Sequence, residues 1–481
     1  MAESRVKKTL LNAKVNLIFY CLLLGLTFFS RKLFLDRLGA EFIGLTGTLQ
    51  NLLGYLNLAE MGLASAVAFH LYKPLHDDNR EKITQIVSVL GYYCRNIGLI
   101  VLGGGIVLSA FFPLIFSKAN YPYAVIYFAF FAYLLASLIG YFINWRLTLL
   151  AADQKNYIIS GYVQGMSMIK IMLQMFVAYK YDSVYGWIAL EILASVASCI
   201  ILNKKIDKEY SWLKASVRKG KQESHNFPEI FRSMRQIFVH KIKDFLLTQS
   251  DQLFVFVLVS LKMVAYYGNY VLIITRIDAL FRNVLSGVVA SVGNLVAENN
   301  MERIMKVFWE LSAVRYFIAG LLAFCVYHLI EPFIVLWLGE QYVLDRTIVL
   351  LLCINLFITI SRETVENFNF SYGHYADIWA AWTEGLINVG VTILCGYYWG
   401  IAGILTGKLA SVIPIIVIWK PYYLFRDGFH RSYLTYWLQT FRYYGSLLLS
   451  AIVVDWLLGL ININAVAGYG NWIIESLICA G

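Results

Sequence analysis

Ionisable side chains stand inside long apolar runs of this chain, and their types suggest two kinds of chemistry. Arg276 and Arg282 flank Asp278, Arg95 falls in an earlier run, and Arg31 lies beside Lys32. Arginine is permanently charged and matches phosphate oxygens in a bidentate fork, so Arg276, Arg282, Arg95 and Arg31 are candidate ligands for a diphosphate. The acids Asp251, Asp278, Glu366 and Glu384, with the amide of Asn388, are candidates for taking up Na+ or H+ or for gating. Each such charge costs about 2.5–3.5 kcal/mol at the centre of a spanning helix, so it needs a partner or a task.

Structural readings stand beside the functional ones. Asp278 and Arg282 are four apart and can pair on one helical face, whereas Arg276 points about 120° away from Arg282. Glu384 and Asn388 share a face at the same spacing and could offer oxygen ligands or a plain interhelical hydrogen bond. Arg31, Lys32, Lys241 and Lys243 could snorkel to an interface. Lys170 and Arg315 read as deeper, facing a cavity, and Glu191, Lys408, Arg362 and Glu363 add to the intramembrane charge. The seven histidines are dispersed and the seven cysteines show no CxxC spacing, so no catalytic or metal-binding set and no cofactor is expected.

The elements that carry these residues are helical. Of the 481 residues 59% are hydrophobic and only 15% charged, unlike a soluble globular chain. Runs of about 20 apolar residues recur, and each can span a bilayer core. Backbone groups in lipid must be satisfied internally, and runs of that length exclude a barrel of alternating strands. The expectation is an all-α integral membrane protein. Its spans run over about 10–35, 42–72, 83–116, 123–150, 157–179, 184–202, 230–261, 265–296, 304–336, 348–372, 375–399 and 401–424. A thirteenth covers 433–458. The last segment, 471–481, is too short to cross, so it is either a half-span or the start of an interrupted fourteenth helix.

Lysine and arginine gather in alternate loops, which explains the net charge of +10 without nucleic acid and places the N-terminus in the cytoplasm. No small-residue cleavage site follows the first apolar run, so it reads as an uncleaved helix. The basic stretch 204–229 reads as a cytoplasmic connector with an interfacial amphipathic helix near Trp212. Trp212, Tyr342, Trp399 and Trp419 fit interfacial aromatic belts.

The chain also repeats itself at about 220 residues. Gly44 followed by Ala64-Ser65-Ala66-Val67 is echoed by Gly268 followed by Val289-Ala290-Ser291-Val292. Gly186-Trp187-Ile188-Ala189 is echoed by Gly400-Ile401-Ala402-Gly403. The expected plan is two parallel-repeat six-helix bundles, 1–203 and 230–424, facing each other with a substrate at their interface, followed by additional helical sequence over 425–481. Mid-span charge concentrates in the second copy.

Several stretches carry a family likeness: Leu38-Gly39-Ala40-Glu41-Phe42-Ile43-Gly44, Tyr55-Leu56-Asn57-Leu58-Ala59-Glu60-Met61-Gly62, Leu71-Tyr72-Lys73-Pro74-Leu75, Ser250-Asp251-Gln252-Leu253, Tyr266-Tyr267-Gly268-Asn269-Tyr270, Trp337-Leu338-Gly339 and Glu384-Gly385-Leu386-Ile387-Asn388. In order and spacing they resemble the bacterial polysaccharide transporter, or O-antigen flippase, family of the multidrug/oligosaccharidyl-lipid/polysaccharide (MOP) exporter superfamily, over residues 10 to 424. The resemblance implies movement of undecaprenyl-diphosphate-linked oligosaccharide to the outer leaflet of the bacterial cytoplasmic membrane, by alternating access with ion coupling. It implies membrane lipids, a polysaccharide polymerase and a chain-length regulator as partners. Asp251, Glu384 and Asn388 are the matching polar positions, without an assigned role. A lipid II or multidrug exporter of the same superfamily is the alternative. A membrane polymerase enzyme is disfavoured, since it would carry a large outer loop.

Overall fold

The computed structural model describes residues 5–60, 63–117, 119, 121–153, 155–232, 234, 250–284, 292, 295–296, 298, 300–372, 378–461 and 464–480. His240, Lys241, Lys243, Asp244 and His374 lie outside these residues. The described residues are helical almost throughout, and no strand occurs among them. Eight of their helices are long and apolar enough to cross a membrane. One of them, Trp382–Gly428, is 47 residues long and is broken at Gly400, whose φ of 56° and ψ of −131° are non-helical. The protein is an all-α, multi-pass membrane protein.

The chain divides into two compact units, Met1–Gln249 and Ser250–Gly481. In the first, the long helix Arg80–Ala110 starts from an Asn79 cap, whose side chain accepts from the Lys82 amide at 2.9 Å. Gly91, Gly98 and Gly105 recur every seven residues along it. They seat Trp145, Phe142 and Leu134, where an added Cβ would crowd the partner side chain. Small residues let helices approach closely in lipid, where packing replaces the hydrophobic drive.

In the second unit, Ile378–Val412 forms an antiparallel hairpin that turns at Gly400. A Cβ at Gly403 would overlap the Cys395 carbonyl, and one at Gly407 would overlap the Thr392 backbone. The arms therefore touch backbone to backbone. Further along, Asn388 faces Ser411 and Trp379 packs on Trp419 at 4.8 Å. An aromatic core closes one end, with Phe308 packed edge-on to Phe368, Phe425 and Phe429 at 5.2 to 5.5 Å. The helix Tyr433–Ile461, by contrast, exposes Leu434, Leu438, Phe441, Leu448, Ile452 and Trp456, as a helix facing lipid does. The short helix Tyr469–Ala480 lies against Met301–Trp337, tied by Trp472 Nε1 donating to the Leu329 carbonyl at 2.9 Å.

Several expected spans are interrupted. The run 42–72 is Ala40–Leu56, a 3-10 turn Asn57–Glu60, and Leu63–His76. The run 123–150 ends as a helix at Phe142 and resumes at Leu147 after the turn Asn144–Arg146. The run 348–372, by contrast, keeps a helical path through Arg362, whose φ is −72° and ψ −21°, over Arg346–Ser371. Side-chain hydrogen bonds mark the two breaks. Asn57 Oδ1 accepts from Ser137 and Tyr141, and Asn144 Oδ1 accepts from Asn203 at 2.9 Å. Trp212 sits in a turn, not in an amphipathic helix. The helix of the connector is Val217–Glu223, whose Gly220 presses on the Ser88 backbone. Tyr342 is buried against Tyr266 at 4.9 Å.

The glycine contacts give a test. Gly403→Ala should lower thermal stability in detergent by several degrees, because the backbone contact leaves nowhere for the methyl. Gly385→Ala, which meets open space, should leave the midpoint unchanged or slightly raised.

Candidate functional site

The second unit holds a chain of charged groups across three helices. Glu363 follows Arg362 in the helical path Arg346–Ser371. One of its carboxylate oxygens meets Arg315 Nη1 of the Met301–Trp337 helix, and the other lies 3.1 Å from Arg282 Nη1 of the Leu261–Val284 helix. Arg282 Nε donates to Asp278 Oδ2 at 2.7 Å, one turn back on its own helix. Two acids thus face two arginines. Arg315 is only 4% exposed, whereas the Arg282 side chain is 50% exposed. Arg282 is the accessible end of the chain and uses two of its five donors here.

A second cluster centres on Asp251. Lys408 Nζ, on the second arm of the hairpin, donates to Asp251 Oδ2 at 3.0 Å, and the Tyr267 hydroxyl donates to the same oxygen at 3.5 Å. The Asp251 side chain is 8% exposed and that of Lys408 26%. The Ser411 hydroxyl donates to the Lys408 carbonyl at 2.8 Å, and Asn388 Nδ2 reaches Ser411 Oγ at 3.5 Å. Glu384, one turn from Asn388, is fully buried. The hairpin thus carries Lys408, Ser411, Asn388 and Glu384 along its inner seam.

This geometry permits a fit test for an alkali cation. Among the described residues, no three His, Cys, Asp or Glu side chains converge as a metal ion would need. At Asp251 the position is already taken by an ammonium group. A second cation about 4 Å from it would be repelled by about 4 kcal/mol at an effective dielectric of 20. Na+ does not fit Asp251 in this arrangement.

The remaining predicted residues are placed as follows. Glu366 pairs with Arg362 at 3.1 Å, i to i+4. Arg276 is half-buried on the Leu261–Val284 helix. Arg31 is half-buried on Arg5–Leu38, and Arg95 is exposed on Arg80–Ala110. In the first unit Lys170 is paired. It donates to Glu191 at 2.9 Å, and Gln174 bridges Glu191 and the Trp187 carbonyl at 3.0 and 3.1 Å. Sequence reasoning passed over Gln174, Tyr267 and the pairing role of Lys408. Only Lys408 carried a signal, as a lone cation in an apolar run.

The first unit also contains two cavities at one end of its bundle. One, of about 490 Å³, is lined by Arg80, Gln85, Trp212, Lys219 and Glu223 among others, and the second, of about 400 Å³, by Lys73, Lys82 and Phe227 among others. Close by, Lys155 holds Asp153 at 2.8 Å and Glu209 at 2.6 Å. Burial, and then the neighbouring Asp153 carboxylate, push the Tyr210 phenol well above its ordinary value.

No family model and no curated protein matches the sequence. Solved structures do match. The lipid II flippase MurJ in an inward closed conformation superposes with a TM-score of 0.66 at 16% identity, covering 98% of each chain. A mutant of the MATE transporter VcmN of Vibrio cholerae gives 0.52 at 14% identity, over 88% of this chain and 99% of that one. An inward-facing multidrug resistance MATE family transporter of the MOP superfamily gives 0.50 at 12%, over 85% and 97%. The chain shares the fold of these structures. At these identities the likeness establishes architecture and leaves the cargo open.

Glu363→Gln tests the charge chain. It leaves Arg315 buried beside an uncharged amide and should cost about 3–5 kcal/mol. Arg303→Ala breaks only the exposed pair with Glu298 and should cost under about 1 kcal/mol. Denaturation in mixed micelles reads both.

Proposed function

We propose that this protein moves an undecaprenyl-diphosphate-linked oligosaccharide from the cytoplasmic to the outer leaflet of the bacterial cytoplasmic membrane by alternating access. It supplies a polysaccharide polymerase and its chain-length regulator and performs no covalent chemistry itself. The observation that carries this reading is Arg282, a half-exposed arginine on the helix Leu261–Val284, held by two acids yet with donors to spare. The fold likeness to a lipid II flippase over nearly the whole chain supports a lipid-linked cargo. A polyprenyl tail can remain in lipid while only the head group crosses.

The mechanism follows from charge balance. A diphosphate brings at least two negative charges, which Arg282 and Arg276 can meet with bidentate hydrogen bonds, Arg95 and Arg31 serving as further cationic stations. When Arg282 turns to the diphosphate, Asp278 loses its partner, while Glu363 keeps Arg315. An unpaired carboxylate in low dielectric is costly, so it takes up a proton or a cation. Cargo binding and ion uptake are thereby linked through Asp278, with Glu366, Glu384 and Asn388 as further gating groups. A lipid II exporter would use the same diphosphate chemistry and differ in the sugars it accepts. A multidrug exporter would have no use for a diphosphate ligand.

Translocation of a fluorescent lipid-diphosphate oligosaccharide in proteoliposomes tests the reading. Arg282→Ala and Arg276→Ala should each reduce the rate at least tenfold at normal expression. Unchanged rates in both variants would remove the arginines from the mechanism.

A further inference from the structure

We propose that Lys408 is a tethered cation. Its ammonium fills the place an alkali ion would take at Asp251 and makes that acid blind to Na+. The proposal rests on the reading of Asp251 as an intramembrane coupling position and specifies its ion selectivity.

Three observations carry it. The ammonium lies 3.0 Å from Asp251 Oδ2, and the Tyr267 hydroxyl reaches the same oxygen, so that face of the carboxylate is already supplied with donors. Asp251 is buried, so its charge has to be met from within the protein. The backbone that bears Lys408 is also fixed. Gly407, its neighbour, sits directly on the Thr392 backbone, and Ser411 donates to the Lys408 carbonyl. On the other side, Leu258 packs on Gly396, so the helical residues 250–258 run alongside the hairpin and hold Asp251 within reach.

The lysine therefore behaves as a counter-ion that cannot diffuse away. At a separation of about 4 Å its charge should weaken Na+ at this carboxylate by roughly 1,000-fold. Removing the ammonium while keeping a polar side chain would leave a buried carboxylate beside hydroxyl and amide oxygens, which is the chemistry of an alkali-ion site. One residue thus decides whether the site answers to Na+. Lys408 is a selectivity residue for the bound ion and has no part in holding cargo.

The test is thermal unfolding of the purified full chain in detergent, with NaCl titrated against KCl at constant ionic strength and no cargo present. The wild type should show no Na+-specific shift. Lys408→Gln should gain a saturable, Na+-specific rise in Tm, and Asp251→Asn/Lys408→Gln should lose it. A Lys408→Gln protein that can be recovered folded in NaCl and not in KCl carries the same meaning. The proposal is overturned if the wild type shows a Na+-specific shift that Asp251→Asn abolishes. It is equally overturned if Lys408→Gln gains no Na+ response, or folds in neither salt. Because the readout is Na+ binding without cargo, its failure would leave the transport reading standing, and failure of transport would leave this result intact.

Discussion

A charge inside a bilayer must be met by another charge or by aimed dipoles, and the second unit of this protein is organised around that requirement. Glu363 is where the requirement is most concentrated. It lies within the helical path Arg346–Ser371, directly after Arg362. From there its two oxygens serve two arginines on two other helices. The three helices that Glu363 ties together position Arg282 at the accessible end.

The glycine hairpin meets the same requirement by geometry. Gly403 and Gly407 bring two helix backbones into contact, leaving the space between the arms too narrow for water or lipid. The polar groups on that seam are therefore served by protein: Asn388 by Ser411, and Lys408 by Asp251. The first unit repeats the principle on a smaller scale, with Lys170, Glu191 and Gln174 closing on one another between neighbouring helices. These charges are balanced pair by pair, and Arg282 belongs to a pair that remains within reach of a ligand.

The helices were legible in the sequence because hydropathy reports them directly, and the turn at Gly400 was legible because glycine is the residue that tolerates it. The interruptions at 57–60 and near 143 were not. The nearest glycines, Gly54, Gly62 and Gly140, lie outside the turns themselves, and the hydrogen bonds that mark the turns come from Ser137, Tyr141 and Asn203, distant in sequence. The same distinction holds for the charges. Asp278 with Arg282 could be read from a spacing of four, since one helix carries both. Lys408 with Asp251 is 157 residues apart and Arg315 with Glu363 is 48 apart, and only folding brings them together. Residue type thus told where charge would need a partner, and tertiary packing chose the partner. The helix expected at Trp212 shows the converse, since an aromatic among lysines was taken for amphipathicity where the chain makes a turn that packs Trp212 on Tyr210 at 6.0 Å and under Arg80.

These features converge on Arg282 as the group that exchanges protein acids for a diphosphate. Native mass spectrometry of the purified protein incubated with undecaprenyl-diphosphate-linked oligosaccharide, alongside the monophosphate lipid, measures that exchange most directly. The account predicts that wild-type protein retains the diphosphate species selectively and that Arg282→Ala loses the selectivity while remaining folded. Equal retention of both lipids by the wild type, or undiminished selectivity in the variant, would contradict it.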